Sequence, residues 1–228
     1  MTATPRLFVI VGTPGSGKDL LIRAVNDLGT LHAGIVPKHT SRARRSDDSE
    51  EMIFSDHSDY DLAGCDIRYD NYGDEYGIKS VQIWEGLRKG NSQVAVVSDL
   101  DAIKELQRIF GEFMVLVYVH SRMDAEEYRR EAAKHGDDAG YVERRVAEYH
   151  HAFDIYLRHF LAFNHVLIYS GLPEDLYDQI FRLFRAYERG DLPYTTAKPI
   201  ASGRIWEVTD EEDVSGKSPE IIGGCRKS

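Results

Sequence analysis

The stretch Gly12-Thr13-Pro14-Gly15-Ser16-Gly17-Lys18 follows the apolar run Leu7-Phe8-Val9-Ile10-Val11 and precedes Asp19-Leu20-Leu21-Ile22. A buried strand, a glycine-rich turn and a helix start in that order make a cradle for phosphate. Glycine lets the backbone wrap closely round an anion. The loop N–H groups and the positive end of the following helix attract phosphate oxygens, and Lys18 can reach the terminal phosphates of a nucleotide. The spacing is that of G-x-x-x-x-G-K, so Gly12, Thr13, Pro14, Gly15, Ser16, Gly17 and Lys18 are candidates to hold a nucleoside triphosphate. Asp19 stands where that motif has a Ser or Thr whose hydroxyl ligates magnesium. A carboxylate is a harder ligand that adds negative charge beside a polyanion, which makes Asp19 both a nucleotide-site residue and the candidate Mg²⁺ ligand.

Hydrophobic periodicity extends this start into a repeating pattern. A helix is expected over roughly 17–27, a short strand over Leu31 to Val36, and then a basic loop from Lys38 to Arg45. Residues 46–79 read as an insertion of short extended pieces, Met52-Ile53-Phe54, Asp66-Ile67-Arg68-Tyr69 and Tyr76-Gly77-Ile78, among turn residues. Helical spacing over Ser80 to Lys89 and Asp101 to Phe110 alternates with the apolar runs Val94 to Val97 and Phe113 to Val119, typical of strands covered on both faces. A helix is expected over Asp124 to Lys134, a break at His135 to Gly140, a long amphipathic helix over Tyr141 to Phe163, a last strand over His165 to Ile168, and a helix opened by Pro173. Strand and helix in alternation predict an α/β fold of three layers around a parallel sheet, with ligands at the carboxyl ends of the strands. The expected organisation is one domain over 1–190 and a largely disordered tail over 191–228, where apolar period is lost.

Composition narrows the function. With 28 basic against 38 acidic side chains the formal net charge is −10, which argues against broad nucleic-acid binding, since backbone affinity needs a basic surface. No apolar stretch is long enough to span a bilayer or act as a secretory signal, so the cytoplasm is the expected location and no membrane partner is expected. Cys65 and Cys225 lie far apart in no metal-ligand spacing. The oligomeric state is left open.

Phosphoryl transfer needs cationic groups and metal that hold donor and acceptor phosphates in line and offset the moving charge. Two further clusters supply such groups. Lys38, Arg42, Arg44 and Arg45 follow the second strand, and forked guanidiniums suit a phosphate monoester; the alternative is a solvated basic turn. Arg129, Arg130, Lys134 and His135, then Arg144 and Arg145 beyond a Gly- and Asp-containing break, are ordered as in a lid over 124–146 that folds arginines onto a triphosphate; the alternative is a solvated helix face. Asp99, at the carboxyl end of a strand, is either a polar contact for the acceptor or a helix cap.

Together these residues carry a family resemblance. From about residue 6 to 188 the chain resembles the guanylate kinase family, on Gly12 to Lys18, Lys38-His39-Thr40-Ser41-Arg42 with Arg45, Tyr76-Gly77, Ser98-Asp99 and Val142-Glu143-Arg144-Arg145 in matching order. The resemblance implies a P-loop NTPase fold with a parallel sheet, a small acceptor-binding insertion and a helical lid. It also implies an ATP- and Mg²⁺-dependent kinase acting on a small phosphorylated acceptor such as a nucleoside monophosphate. Lys18, Arg130, Arg144 and Arg145 would then be catalytic, and Lys38, Arg42, Arg45, Tyr76 and Asp99 would meet the acceptor.

The departures fall where the family reads its base. A serine would stand at Lys38, a tyrosine near Met52 or Phe54, a glutamate near Ile67, a serine or threonine at Ile78 and an acid near Val97, with Asp66 or Asp70 as substitutes if the alignment slips by a residue or two. Gly17-Lys18-Asp19 and Tyr76-Gly77-Ile78 show a more local resemblance to the branch that phosphorylates ribose 1,5-bisphosphate. A guanylate kinase-like binding module without catalysis is a further alternative. An ATPase or GTPase switch ranks last, because no N-K-x-D base-reading motif is present.

Overall fold

A computed structural model describes residues 4–27, 32–44, 52–54, 61–71, 73–134 and 138–190. Arg45, His135 and the tail 191–228 lie outside them, as do the side chains of Asp19 and Lys134. The central sheet is built from β1 (Leu7–Gly12), β2 (Ala33–Ile35), β7 (Ser92–Val96), β8 (Met114–Ser121) and β9 (His165–Tyr169). All its pairings are parallel, and its order is β2-β7-β1-β8-β9. The first strand is thus in the middle, and the chain crosses to opposite sides of it, which opens a crevice at its carboxyl end.

Alternate residues of these strands feed two separate cores, which explains their continuous apolar runs. Leu7, Val9, Val11, Ala95, Leu116 and Tyr118 pack with buried residues of α2 (Ser80–Arg88), α3 (Leu100–Phe110) and α5 (Ala139–Arg158). Phe8, Ile10, Val94, Val115, Val117 and Val119 pack with α1 (Lys18–Asp27) and α6 (Pro173–Arg189). The result is the three-layer α/β arrangement expected from the pattern. Among the described residues no helix is long and apolar enough to cross a membrane.

A second sheet hangs from the carboxyl edge of the first. Its strands are β3 (Lys38–Thr40), β4 (Met52–Phe54), β5 (Ile67–Asn71) and β6 (Asp74–Ile78), in the order β4-β3-β6-β5. It opens at Lys38, within the stretch 38–45 read from sequence as a loop. The strand is only three residues long, and its buried positions are the polar His39 and Thr40, so no apolar alternation marks it. Ile67 and Ile78, opposite each other across the β5–β6 hairpin, are buried and join the core shared with α2 and α3. The helix expected to run to Phe163 instead stops at Arg158, and a 3-10 turn over Phe160–Ala162 reverses the chain so that Ala162 and Phe163 enter the same core. Apolar spacing continues through that turn and conceals it.

Candidate active site

The phosphate loop starts where β1 ends. A Cβ on Gly12 would lie 2.7 Å from Ser16 Oγ and 2.8 Å from the Val119 carbonyl oxygen, so the loop folds over β8 with no space for a side chain. Gly15 and Gly17 have φ of 72° and 83°, the left-handed region that glycine occupies without strain. Ser16 N donates to Thr13 O at 3.1 Å and closes the turn. Lys18 Nζ donates to the carbonyls of Gly12 and Thr13, at 2.7 Å each, and so lies along the inside of the loop. Thr13 and Ser16 are 1% and 0% exposed, and among the described residues their hydroxyls have no hydrogen-bond partner. A buried polar group left unsatisfied costs about 1–3 kcal/mol. Asp19 follows as the second residue of α1.

The helices α4 (Ala125–Lys134) and α5, which carry most of the stretch 124–146, pack as a pair, joined through Ala125, Val142, Val146 and Tyr149 with Tyr128 and Phe153 packed against them. Arg129 binds both helices: it ion-pairs with Glu126 on α4 and donates to both Glu143 oxygens on α5, at 2.9 and 3.1 Å. These bonds hold its guanidinium above the usual arginine range and make it a strut between the two helices. Arg130, by contrast, is exposed and lines a cleft of about 540 Å³ with Arg122, Glu127, Glu131, Tyr169 and Ser170. That cleft adjoins the phosphate loop, because a Cβ on Gly17 would lie 2.8 Å from Leu176 and 3.4 Å from the Tyr169 ring.

Arg144 and Arg145 point to different surroundings, as neighbours on a helix must. The Arg144 guanidinium sits 5.8 Å from the Tyr141 ring centroid, with its Nε buried and without a hydrogen-bond partner among the described residues. Arg145 donates from Nε to the Tyr128 hydroxyl at 3.4 Å and from Nη1 to Glu148 at 2.5 Å. Burial works against its charge, and Glu148 with Tyr128 outweighs it, holding the guanidinium above the usual arginine range. The Tyr128 ring in turn lies against the tip of the phosphate loop, 3.5 and 3.6 Å from where a Cβ on Gly15 would be.

On the second sheet, Lys38 Nζ donates to Val96 O at 3.2 Å. Val96 is in register with Ile10 of β1, so this lysine ties the small sheet to the strand beside the one that delivers the phosphate loop. Arg42 Nε donates to the Tyr76 hydroxyl at 3.1 Å, Nη1 donates to Ala43 O, and the guanidinium lies 5.3 Å from the Phe54 ring centroid. Arg44 covers the same ring at 4.8 Å. Tyr69 and Tyr76, paired across the hairpin, stack with centroids 5.3 Å apart. Burial, then Tyr76, then the Asp99 charge push the Tyr69 phenol well above its ordinary range. Asp99 itself caps α3, with Oδ1 accepting from Ala102 N at 2.8 Å.

Sequence reasoning did not single out Tyr69 or Tyr128. Their partners come from the hairpin register and from helix packing, and only the alternation of Ile67, Tyr69 and Asn71 along one strand face hinted at the first. The carboxylates offered as substitute base readers are engaged locally. Asp66 accepts from Ser80 N at 2.7 Å and from the Ser80 hydroxyl at the start of α2, and Asp70 accepts from Gly73 N at 3.0 Å in the hairpin turn.

No protein-family model matches this sequence, and no curated protein matches it significantly. Among solved structures, guanylate kinase from Anaplasma phagocytophilum superposes with a TM-score of 0.58 at 16% identity, over 88% of this chain and 92% of that one. Dephospho-CoA kinase from Campylobacter jejuni is matched with a TM-score of 0.40 at 9% identity, over 82% of this chain and all of that one. The order of the central sheet, the glycine-rich loop after its middle strand and the first of these superpositions give the chain the fold of a guanylate kinase-like P-loop protein.

Proposed function

We propose that this chain is an ATP-dependent phosphotransferase that moves the γ-phosphate to a small phosphorylated acceptor. The observation that carries the reading is the phosphate loop itself: a buried cradle with two hydroxyls lacking partners among the described residues and a lysine along its inner face, touched by a side chain of α4 that is bonded to an arginine. Gly12 to Lys18 would hold the donor phosphates, and the cleft lined by Arg122 and Arg130 would take the rest of the nucleotide. Lys18, Arg130 and Arg145 offset charge on the transferring group, while Arg144 is held at Tyr141 in this lid position. A hard oxygen donor at Asp19 suits Mg²⁺, which supplies charge neutralisation at the phosphate oxygens when bound.

Arg42, with Arg45 and the Tyr76 hydroxyl, would hold the acceptor phosphate, with Lys38 and Asp99 at the base of the acceptor sheet. A nucleoside monophosphate is the acceptor that the family resemblance implies. A second reading, a sugar phosphate such as ribose 1,5-bisphosphate, is favoured by a specific observation. Ile67 and Ile78 are committed to the core, and Asp66 and Asp70 to local bonds, so this sheet offers few groups to read a base edge. A site discriminates bases by leaving its polar groups unpaired against the wrong one, which apolar positions cannot do. In this reading the kinase unit spans 1–190, with 124–146 as its lid, and works in the cytoplasm.

The test is incubation with Mg-ATP and a panel of nucleoside monophosphates and ribose 1,5-bisphosphate, reading ADP and phosphorylated acceptor together. Stoichiometric transfer to one of them is expected. Binding of ATP with no transfer to any would contradict the reading and favour a binding module.

A further inference from the structure

We propose that Tyr128 is a positioning residue that couples occupancy of the phosphate loop to the orientation of Arg145, an inference that rests on the donor-site reading above. Three contacts converge on this one side chain. Its ring carbons Cδ2 and Cε2 lie against Gly15 at the loop tip, where the absence of a side chain lets an aromatic face approach the backbone. The ring also packs against the apolar contact between α4 and α5. Its hydroxyl accepts from Arg145 Nε.

The arrangement fixes one end of the guanidinium and leaves the other exchangeable. Nε is held by an uncharged oxygen, which gives direction with little competing charge. Nη1 is held by Glu148, whose side chain is 16% exposed beside an Arg145 side chain 27% exposed. Triphosphate oxygens in the loop carry more negative charge than one carboxylate, so they can draw the Nη groups away from Glu148 while the Tyr128 hydroxyl keeps Nε in place. Because the same ring rests on Gly15, filling the loop and seating the lid become one event. Orientation matters here: a charged group misplaced by about 1 Å can cost on the order of 100-fold in rate.

Two substitutions separate the ring from the hydroxyl, with melting temperature checked for each. Tyr128→Phe keeps the contact with Gly15 and removes the bond to Arg145. It should leave the Mg-ATP Kd within about twofold and lower kcat by roughly 10- to 150-fold, the range for losing one hydrogen bond to a charged group. Tyr128→Leu removes both and should also weaken Mg-ATP binding by about tenfold, as expected for losing an aromatic contact. In an Arg145→Ala background, Tyr128→Phe should cause no further loss, which a purely structural role would not predict.

Where no acceptor supports turnover, the readout is amide exchange over 139–150, expected to slow on addition of Mg-ATP in the native chain and not in Tyr128→Leu. A Tyr128→Phe kcat within twofold of native, a loss that persists undiminished in Arg145→Ala, or protection unchanged in Tyr128→Leu overturns the proposal. A native chain that binds no Mg-ATP overturns the donor-site reading instead.

Discussion

Replacing Gly12 by alanine tests the packing of the loop on the sheet and the binding role of the loop in one variant. The added methyl would lie 2.8 Å from the Val119 carbonyl oxygen and 2.7 Å from Ser16 Oγ. Ser16 Oγ can move only by turning a fully buried side chain, and the Val119 oxygen belongs to the backbone of the strand paired with β1 in the middle of the sheet. The loop and β8 must therefore separate by roughly half an ångström. Overpacking of this kind costs about 1–3 kcal/mol. For a folded unit of this size that lowers the melting temperature by about 2–12 °C.

Such a loss leaves an ordinary domain, stable by about 5–15 kcal/mol, almost fully folded at 25 °C. Any fall in nucleotide affinity then belongs to the loop itself, and under the proposed function it should reach about tenfold or more, because the displaced turn carries the N–H groups that would meet the donor phosphates. Gly90→Ala is the control. Gly90, unlike Gly12, has a positive φ of 83° and open space around its Cβ position, so its substitution should cost about 1 kcal/mol and leave affinity unchanged. Differential scanning calorimetry and Mg-ATP titration on the three proteins decide the matter. A Gly12→Ala protein with native melting and native affinity would refute the reasoning.

Asp99→Asn keeps a good capping side chain and should melt close to the native protein, whereas Asp99→Ala should lose about 1 kcal/mol with the cap on α3; lower turnover in Asp99→Asn at unchanged stability would add an acceptor role. Gln179 bonds both the N–H and the carbonyl of Ile168 on the edge strand β9, so Gln179→Ala should expose that edge and promote self-association, read by sedimentation at rising concentration. Burial raises the Asp66 pKa, but the bonds from Ser80 outweigh it and the net shift is downward. A depressed carboxyl stabilises the fold above its unfolded pKa and loses that contribution as pH falls through the folded one. Asp66→Asn should therefore flatten the loss of stability below about pH 4, as followed by thermal melts.

The elements most visible in the sequence were those whose cause is local. The cradle is set by glycine spacing next to a strand, and the paired apolar faces of β1 and β8 give runs that nothing but a doubly covered strand explains. What stayed hidden depends on partners distant along the chain. β3 is held by pairing with β4 and β6 rather than by any pattern of its own. Arg129 and Arg130 are adjacent and equally basic, yet one is spent on Glu126 and Glu143 while the other lines a cleft, a difference set by which way each faces from α4. Arg144 and Arg145 divide in the same way between Tyr141 and Tyr128.

The central claim is that the loop amides, Lys18 and Arg145 act on one set of nucleotide phosphates, and calorimetric titration of Mg-ATP tests it most directly. Native protein should bind one equivalent saturably, with affinity falling about tenfold or more in Lys18→Ala and measurably in Arg145→Ala, since hydrogen bonds to charged groups are worth about 1.5–3 kcal/mol. No heat of binding in the native protein, or a Lys18→Ala variant that binds as tightly, would contradict it.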